Sequence, residues 1–216
     1  MDKMPVLELA TTSPETNRMI STDSDWRQTL PVLSGRGVGL RELRISDAPT
    51  LLSMLSTAEV ARFISPPPTT VAGFERFIAW TQTERAAGRY ICFGVVPDGM
   101  EEAIGLFQLR QADTDFASAE WGFAIGSAYW GSGVFVECAR LVLDFAFDVL
   151  GVHRLEARAA VQNGRGNGAL RKVGALQEGI LRRSLLRNGA YLDQVLWAIL
   201  ASDRQRLPSE SGPSVH

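Results

Sequence analysis

The sequence predicts an α/β (α+β) protein with a mixed central sheet of about seven strands and helices on both of its faces. Residues 119–125 alternate between apolar and small or polar side chains, which is typical of a strand. Apolar side chains recur at helical spacing between Val134 and Val149, so a helix follows that strand. Asn188-Gly189 separates two further alternating runs, which indicates a hairpin. Hairpins early in the chain and helical connections later favour a mixed sheet.

Alternation of the same kind predicts the remaining strands, at residues 38–45, 90–96, 103–109, 152–161, 177–186 and 191–200. Pro97-Asp98-Gly99 is a turn sequence, so the second and third of these runs should pair as a hairpin. A cleft should open where the strand at 119–125 meets the strand that follows it in the chain.

Four helices are expected from apolar spacing and from residues that begin or end helices. Ser46-Asp47 can cap a first helix that extends towards Phe63 and is stopped by prolines 66–68. A second should begin at Thr69 or Thr70 and end near Gly88. The helix after Val134 should end at Gly151. A glycine-rich turn at residues 163–168 should precede a short helix over residues 169–173.

Length and composition fit one domain over residues 26–203. Residues 1–25 are rich in Thr, Ser, Asp and Pro and predict a disordered extension, as does the tail over residues 204–216. A net charge of −2 gives no general attraction to nucleic acid or to an anionic membrane. We expect no membrane span and no secretory signal. Two cysteines do not form a disulfide framework, so a cytoplasmic location is expected.

The turn Trp130 to Val134 is the most informative candidate site. It contains Gly131-Ser132-Gly133 and lies between a strand and a helix, so its backbone N–H groups and the helix dipole can bind a phosphate. On one face of the preceding strand, Gly122 and Ala124 leave room for a ligand against the backbone. Glu120 is the acid on that same face.

In this order, the motifs resemble the GNAT superfamily of acetyl-CoA-dependent N-acetyltransferases, and more narrowly its ribosomal-protein N-terminal (alanine/serine) acetyltransferase branch. The residues that carry the resemblance are Ala119-Glu-Trp-Gly-Phe123, Trp130-Gly-Ser-Gly133 with Glu137, Phe145-Ala-Phe147, Leu150-Gly-Val-His-Arg-Leu-Glu156, Asn163, Leu170-Arg-Lys-Val-Gly174, Glu178-Gly179 and Gly189-Ala-Tyr-Leu-Asp193. The resemblance covers about Val38 to Leu200.

The resemblance implies a place for each part of acetyl-CoA. The diphosphate would lie on the amides of Trp130, Gly131, Ser132, Gly133 and Val134. The pantetheine would pair with the strand backbone around Phe123, Ala124 and Ile125, and Asn163 would contact the coenzyme or an ordered water. Acetyl would then pass directly to a primary amine, of a protein N-terminus or of a small molecule.

Glu120 and Asn163 each have a second interpretation. Glu120 is the candidate general base, or the group that positions a water, but it is equally a strand acid paired with Arg154 or Arg158. Asn163 could instead be a turn residue that stabilises its own backbone.

Three positions depart from the family pattern. Ala128 replaces a Gln or Arg, while Gly166 and Leu170 replace a Ser and a Tyr that would lie near the departing sulfur. The general acid is therefore unassigned. A catalytically weak or inactive acyl-CoA-binding module remains an alternative, as does an acetyltransferase of amino acids, polyamines or antibiotics.

The acceptor site should have one wall in the segment from Arg62 to Trp80. Its aromatic and apolar residues are core by default. Tyr191 and Asp193 could line the same pocket or be hairpin-end residues with hydrogen bonds of their own. The exposed final hairpin favours self-association, for example as a homodimer, but the sequence does not determine the number of subunits.

Other chemistries are disfavoured. His153 lacks a Cys/His cluster, so no metal site is expected. Ser132 lacks the flanking pattern of a nucleophile elbow, and Cys138 is expected on a buried helix face. A dinucleotide fingerprint would need a third glycine at Val136, and a Walker A loop would need Lys at Val134.

Overall fold

The computed structural model describes residues 25–113, 116–187 and 189–206. The strands are β1 Leu33–Ser34, β2 Val38–Glu42, β3 Tyr90–Pro97, β4 Gly105–Gln111, β5 Ser118–Ile125, β6 Arg154–Ala160, β7 Leu176–Arg187 and β8 Ala190–Leu200. The helices are α1 Ala48–Leu55, α2 Ala58–Ala61, α3 Val71–Ala86, α4 Val134–Asp144 and α5 Gly164–Lys172. A π-helical turn over Phe145–Val149 continues α4, and a 3-10 helix over Ala201–Arg206 follows β8. The predicted disordered extension and tail lie outside the described residues, apart from Asp25 and residues 204–206.

All strands join one sheet in the order β1-β2-β3-β4-β5-β6-β8-β7. Every neighbouring pair is antiparallel except β5 and β6, which are parallel. The mixed sheet and both predicted hairpins are confirmed. The sequence missed β1, because two residues are too few to show a period.

The parallel pair β5–β6 is short, and this positions the cleft. β5 pairs with β4 along its length, from Ala119 to Ile125. It pairs with β6 only from Ser118 to Glu120, where Glu120 faces Glu156. Beyond that point the two strands separate, while β6 stays paired with β8 as far as Ala160. The cleft predicted between β5 and the strand after it is therefore present.

Helices cover both faces of the sheet, as expected. On one face, α4 packs with the alternate positions Ile91, Phe93 and Val95 of β3, all of them fully buried. On the other face, α1 and α3 pack on Tyr90 and Cys92 of the same strand. This alternation divides the apolar interior into two layers. No helix within the described residues has both the length and the apolarity that a membrane span needs.

The expected first helix is in fact two helices, and Asp47 occupies the N-cap position of the first without a capping hydrogen bond from its side chain. α1 ends at Leu55, and Thr57 begins α2 by accepting a hydrogen bond from the Val60 N–H at 3.3 Å. Asp47 makes no capping hydrogen bond to α1. Its fully buried carboxylate instead accepts two hydrogen bonds of 2.8 Å from Arg41. Burial of a carboxylate without charged or hydrogen-bonding partners is costly, so the Asp47 side chain bonds Arg41 rather than the amides of α1.

The Asp47 pair gives stability a defined dependence on pH. Burial alone would raise the pKa of Asp47, but hydrogen bonds from Arg41 and from the Arg44 and Ala103 amides outweigh it and lower the pKa below 3.8. A carboxyl group whose pKa is lower in the folded than in the unfolded protein stabilises the fold at pH values above its unfolded-state pKa. This stabilisation is lost as the pH falls through the folded-state pKa. We therefore expect Asp47→Asn to destabilise the protein by about 3 kcal/mol at pH 7, since Arg41 is left buried without its partner.

Urea unfolding between pH 7 and pH 3 measures this effect. The difference in free energy of unfolding between wild type and Asp47→Asn should narrow below about pH 4. Asp98→Asn, at an exposed turn between β3 and β4, is the matched control and should change stability by less than about 0.5 kcal/mol. A difference that stays constant with pH would contradict the assignment.

Candidate active site

A cavity of about 460 Å³ fills the space where β5 and β6 separate. Its lining comes from β5 and β6, from the start of α5, from the face of β4 that carries Gln108 and Arg110, and from the loop before α3. Glu120, Gly122 and Ala124, which the sequence placed on one strand face, all line it. The cavity therefore connects the parted strands with the α1–α3 side of the sheet.

The edge of β5 that faces the cavity has backbone groups without strand partners. The Gly126 N–H donates to the Ile104 carbonyl at 3.0 Å, and bonding alternates along an antiparallel ladder. The peptide groups of Phe123 and Ile125 therefore point away from β4 and into the gap. Those of Ala124 point towards β4, so only its side chain faces the cavity. The Ile125 carbonyl accepts a 2.9 Å hydrogen bond from the Trp130 indole.

The turn at residues 131–133 has the backbone that its glycines permit. Gly131 has φ of 80° and Gly133 has φ of 90°, the left-handed region that glycine adopts without strain. All three residues of the turn are exposed. Their amides have long or no hydrogen bonds to described residues, with 3.4 Å from the Ser132 N–H to the Tyr129 carbonyl. The Trp130 amide is different, because it donates to the Ser127 carbonyl at 3.1 Å. The Trp130 amide is therefore not the free donor that the sequence analysis expected.

Glu120 forms an ion pair, but not with the expected arginines. Arg110, opposite it on β4, donates to Glu120 Oε2 at 2.6 Å. Arg154 instead pairs with Glu156 at 2.8 Å and also with Glu178, and Arg158 lies 3.9 Å from Glu156. Cross-strand register explains the exchange of partners, since opposite residues of an antiparallel pair are closest. Glu120 Oε1 has no hydrogen-bond partner among the described residues.

Asn163 caps α5 and also lines the cavity. Its Oδ1 accepts a 2.9 Å hydrogen bond from the Gly166 N–H, so the turn-stabilising interpretation describes part of its role. The glycine-rich stretch 164–168, expected as a turn, is the first part of α5. A Cβ at Gly166 would lie 2.5 Å from Asn163 Nδ2, so a serine there would displace the capping side chain.

A family comparison agrees with this geometry. Residues 38–176, more than half of the chain, match the model of the acetyltransferase (GNAT) domain. The chain belongs to the GNAT acetyltransferase family. The activity of that family makes the protein an acetyl-CoA-dependent N-acetyltransferase.

Named N-acetyltransferases are among the relatives of this GNAT protein. The probable N-acetyltransferase YjcK of Bacillus subtilis is 28% identical over 81% of this chain and 100% of its own length. The spermidine N(1)-acetyltransferase of Escherichia coli is 27% identical over 77% of this chain and 87% of its own. Among solved structures, Mycobacterium smegmatis RimJ in complex with CoA-disulfide is 25% identical, with a TM-score of 0.72 over 83% of this chain and 88% of its own.

Much of the segment from Arg62 to Trp80, expected as a wall of the acceptor site, lines the cavity of this GNAT fold. Phe63, Ile64, the three prolines 66–68, Phe74 and Phe77 line the cavity. Trp80 is 46% exposed and does not line it. Tyr191 and Asp193 do not line it either. Asp193 accepts from the Arg183 N–H at 2.7 Å, which confirms the hairpin-end interpretation for that residue.

The cysteines and acids of the described residues suggest no other chemistry. Cys138 is fully buried on α4, and burial raises the pKa of its thiol to about 12, which suits packing rather than nucleophilic attack. Within residues 25–113, 116–187 and 189–206, no cluster of three His, Cys, Asp or Glu side chains could hold a metal ion.

Sequence reasoning missed three residues that shape the site. Arg165, in the first turn of α5, places its guanidinium 4.2 Å from the centre of the Trp130 ring and so connects the two sides of the cleft. Gln108 accepts a hydrogen bond from the Tyr90 hydroxyl inside the cavity. Both pairs join residues far apart in sequence, so no local pattern identifies them.

Asn167 is a further residue without a sequence signal, and it fixes α5 beside the cleft. Its Nδ2 donates to the Ala160 and Asn163 carbonyls at 2.9 Å, and its Oδ1 accepts from the Trp197 indole at 2.8 Å. The side chain thus joins the end of β6, α5 and β8. It is 9% exposed.

We expect Asn167→Ala to destabilise the protein by about 2 kcal/mol, because the buried Trp197 N–H and the Ala160 carbonyl lose their partner. Thermal or urea unfolding measures the effect. Gln162→Ala removes an exposed amide from the turn that precedes α5 and should change stability by less than about 0.5 kcal/mol. Equal effects of the two substitutions would refute the role assigned to Asn167.

Proposed function

We propose that the protein transfers acetyl directly from acetyl-CoA to the α-amine of a peptide or protein N-terminus. The observation that carries this proposal is the separation of β5 and β6 after Glu120. It leaves the Phe123 peptide groups and the Ile125 N–H without a strand partner, beside a cavity large enough to hold two reacting groups. Acetyl-CoA would enter the gap from the turn at residues 131–133, and the amine from the α1–α3 side.

In this proposal the coenzyme binds mainly through backbone groups. The diphosphate lies on the amides of Gly131, Ser132, Gly133 and Val134, at the N-terminus of α4. The pantetheine amides pair with Phe123 and Ile125, while the Ala124 side chain contacts it from the side. Asn163 has a free Nδ2 beyond its capping bond and contributes a contact to the coenzyme or to an ordered water.

Glu120 is the proposed general base. It lines the cavity, and its Oε1 is free to accept the ammonium proton directly or through a water. The neutral amine then attacks the thioester carbonyl carbon, and a free strand amide stabilises the oxyanion. The C–S bond breaks as the carbonyl reforms, and the coenzyme leaves as a thiolate. Because an ordinary thiol has a pKa of about 8.5, solvent can protonate that thiolate near neutral pH without a dedicated acid.

The charges of the cavity favour an acceptor with a single amine. The charged residues that line it are Arg110, Arg158 and Glu120, two cations and one anion. A polyamine brings several positive charges and would need acidic partners for each. An N-terminal amine brings one. The apolar wall of Phe63, Ile64 and prolines 66–68 suits the side chains that follow a peptide N-terminus.

A cytoplasmic location is part of the proposal. Cys92 and Cys138, the two cysteines of the chain, are both free and buried, which suits a reducing compartment. Immunolocalisation with a cytoplasmic marker checks it.

Acetyl-CoA turnover with a panel of peptides and small amines tests the function, and Glu120→Gln tests the base. We expect Glu120→Gln to lower the rate of acetyl transfer by about a hundredfold or more, since loss of a general base has effects of that order. The dissociation constant of acetyl-CoA should not change, because Glu120 lies at the acceptor end of the cleft. Steady-state kinetics and calorimetric titration measure the two quantities.

Glu156→Gln is the matched control, since Glu156 faces Glu120 on β6 and is paired with Arg154. It should retain the wild-type rate. If Glu120→Gln kept the wild-type rate, Glu120 would not be the general base, and its role would be limited to the ion pair with Arg110. Binding of acetyl-CoA without turnover of any amine would favour the acyl-CoA-binding module instead.

The turn at residues 131–133 supplies a separate test. Gly133→Ala forces a Cβ into φ of 90°, a strain of about 1–2 kcal/mol that should rotate the amides away from the diphosphate. We expect the dissociation constant of acetyl-CoA to rise about tenfold. Gly151→Ala, at φ of 71° beyond the opposite end of α4 and its π-helical turn, imposes similar strain away from this turn. If both substitutions weaken binding equally, the diphosphate does not lie on this turn.

A further inference from the structure

Two adjacent strands present an ordered set of side chains to the acceptor half of the cavity. On the shared face of β4 and β5, Leu106 is opposite Ala124, Gln108 is opposite Gly122, and Arg110 is opposite Glu120. All six line the cavity. Residues two positions apart on a strand are about 7 Å apart. The Gln108 amide, opposite Gly122, therefore lies about that far along the strand direction from Glu120, the proposed base.

Tyr90 fixes the direction of that amide. Its hydroxyl, on β3, donates to Gln108 Oε1. Tyr90 is 6% exposed, and Trp80 packs against its ring with 4.9 Å between ring centres. Burial raises the pKa of the Tyr90 hydroxyl well above its usual range, so it remains a donor. Because the amide oxygen accepts this bond, the two N–H donors of Gln108 point the other way.

The missing side chain of Gly122 leaves those donors open to the cavity. A Cβ at Gly122 would lie 3.1 Å from Gln108 Nε2, so any larger residue would cover the amide nitrogen. Gln108 Nε2 has no acceptor among the described residues. A ligand with an acceptor oxygen can form a hydrogen bond with this donor. A ligand without such an oxygen would leave the donor unpaired beside an apolar wall, which costs binding free energy.

We propose that Gln108, oriented by Tyr90, is a specificity-determining residue. It selects α-aminoacyl acceptors, in which the carbon that bears the amine also bears a carbonyl group. This inference rests on the proposed function. The amine lies at Glu120 and the carbonyl oxygen accepts from Gln108 Nε2. With a hydrogen bond of about 3 Å at each end, an α-aminoacyl group spans the two side chains. Polyamines and simple alkylamines lack this oxygen, so they leave the donor unpaired.

The test compares two acceptors of similar size, alaninamide and sec-butylamine, in wild type and in Gln108→Leu. We expect kcat/KM for alaninamide to fall about tenfold in Gln108→Leu, the value of one neutral hydrogen bond, while kcat/KM for sec-butylamine stays within twofold. Tyr90→Phe keeps the ring but frees the amide, so it should lower selectivity in the same direction by a smaller factor. The double variant Tyr90→Phe/Gln108→Leu removes both polar groups and should match Gln108→Leu.

Gln82→Leu is the matched control, because Gln82 on α3 donates to the Leu43 carbonyl outside the cavity. Its ratio of kcat/KM for the two acceptors should equal that of wild type. An equal loss for both acceptors in Gln108→Leu would overturn the inference, since Gln108 would then act on the thioester or on the fold. A wild type that acetylates neither alaninamide, sec-butylamine nor a peptide would refute the proposed function itself.

Discussion

The backbone of β5 beyond Glu120 has a neighbour on one side only, and the site depends on this constraint. A strand in the middle of a sheet normally forms hydrogen bonds on both edges, and buried peptide groups without partners are costly. Here the parallel neighbour ends its pairing at Glu156, so the peptide groups of Phe123, which lines the cavity, and the N–H of Ile125 have no strand partner on that side. The fold keeps this edge open because β4 on one side, and β8 beyond β6, hold each strand in place.

Small side chains make the opening usable. Gly122 and Ala124 on β5, and Ala157 and Ala159 on β6, line the cavity without filling it. Larger residues at these positions would close the gap by apolar packing, which is the outcome that the hydrophobic effect favours elsewhere in this sheet. A 3-10 turn over Ser127–Tyr129 follows the open strand, and the positive φ angles of Gly131 and Gly133 then lead the chain into α4.

Polar residues in and around the cleft are held by long-range pairs. Arg110 holds Glu120, Tyr90 orients Gln108, and Arg165 reaches across to Trp130. The buried pair of Arg41 and Asp47 anchors the start of α1, and α1 contributes Leu55 to the lining of the cavity. The positions of these groups are therefore determined by the packing of several elements.

The sequence by itself determined the fold class, the seven longer strands, the glycine turn before α4 and the face of β5 that lines the cavity. These features are local: a period of two, a helical spacing, or a glycine where φ is positive fixes the backbone within a few residues. Only the tertiary structure decided which arginine pairs with Glu120, that the Asp47 side chain bonds Arg41 rather than the first amides of α1, and that Tyr90 orients Gln108 in the cavity. Those partners are 6 to 18 residues apart along the chain. They meet because strand register and sheet order bring them together, and neither is encoded in any short run of residues.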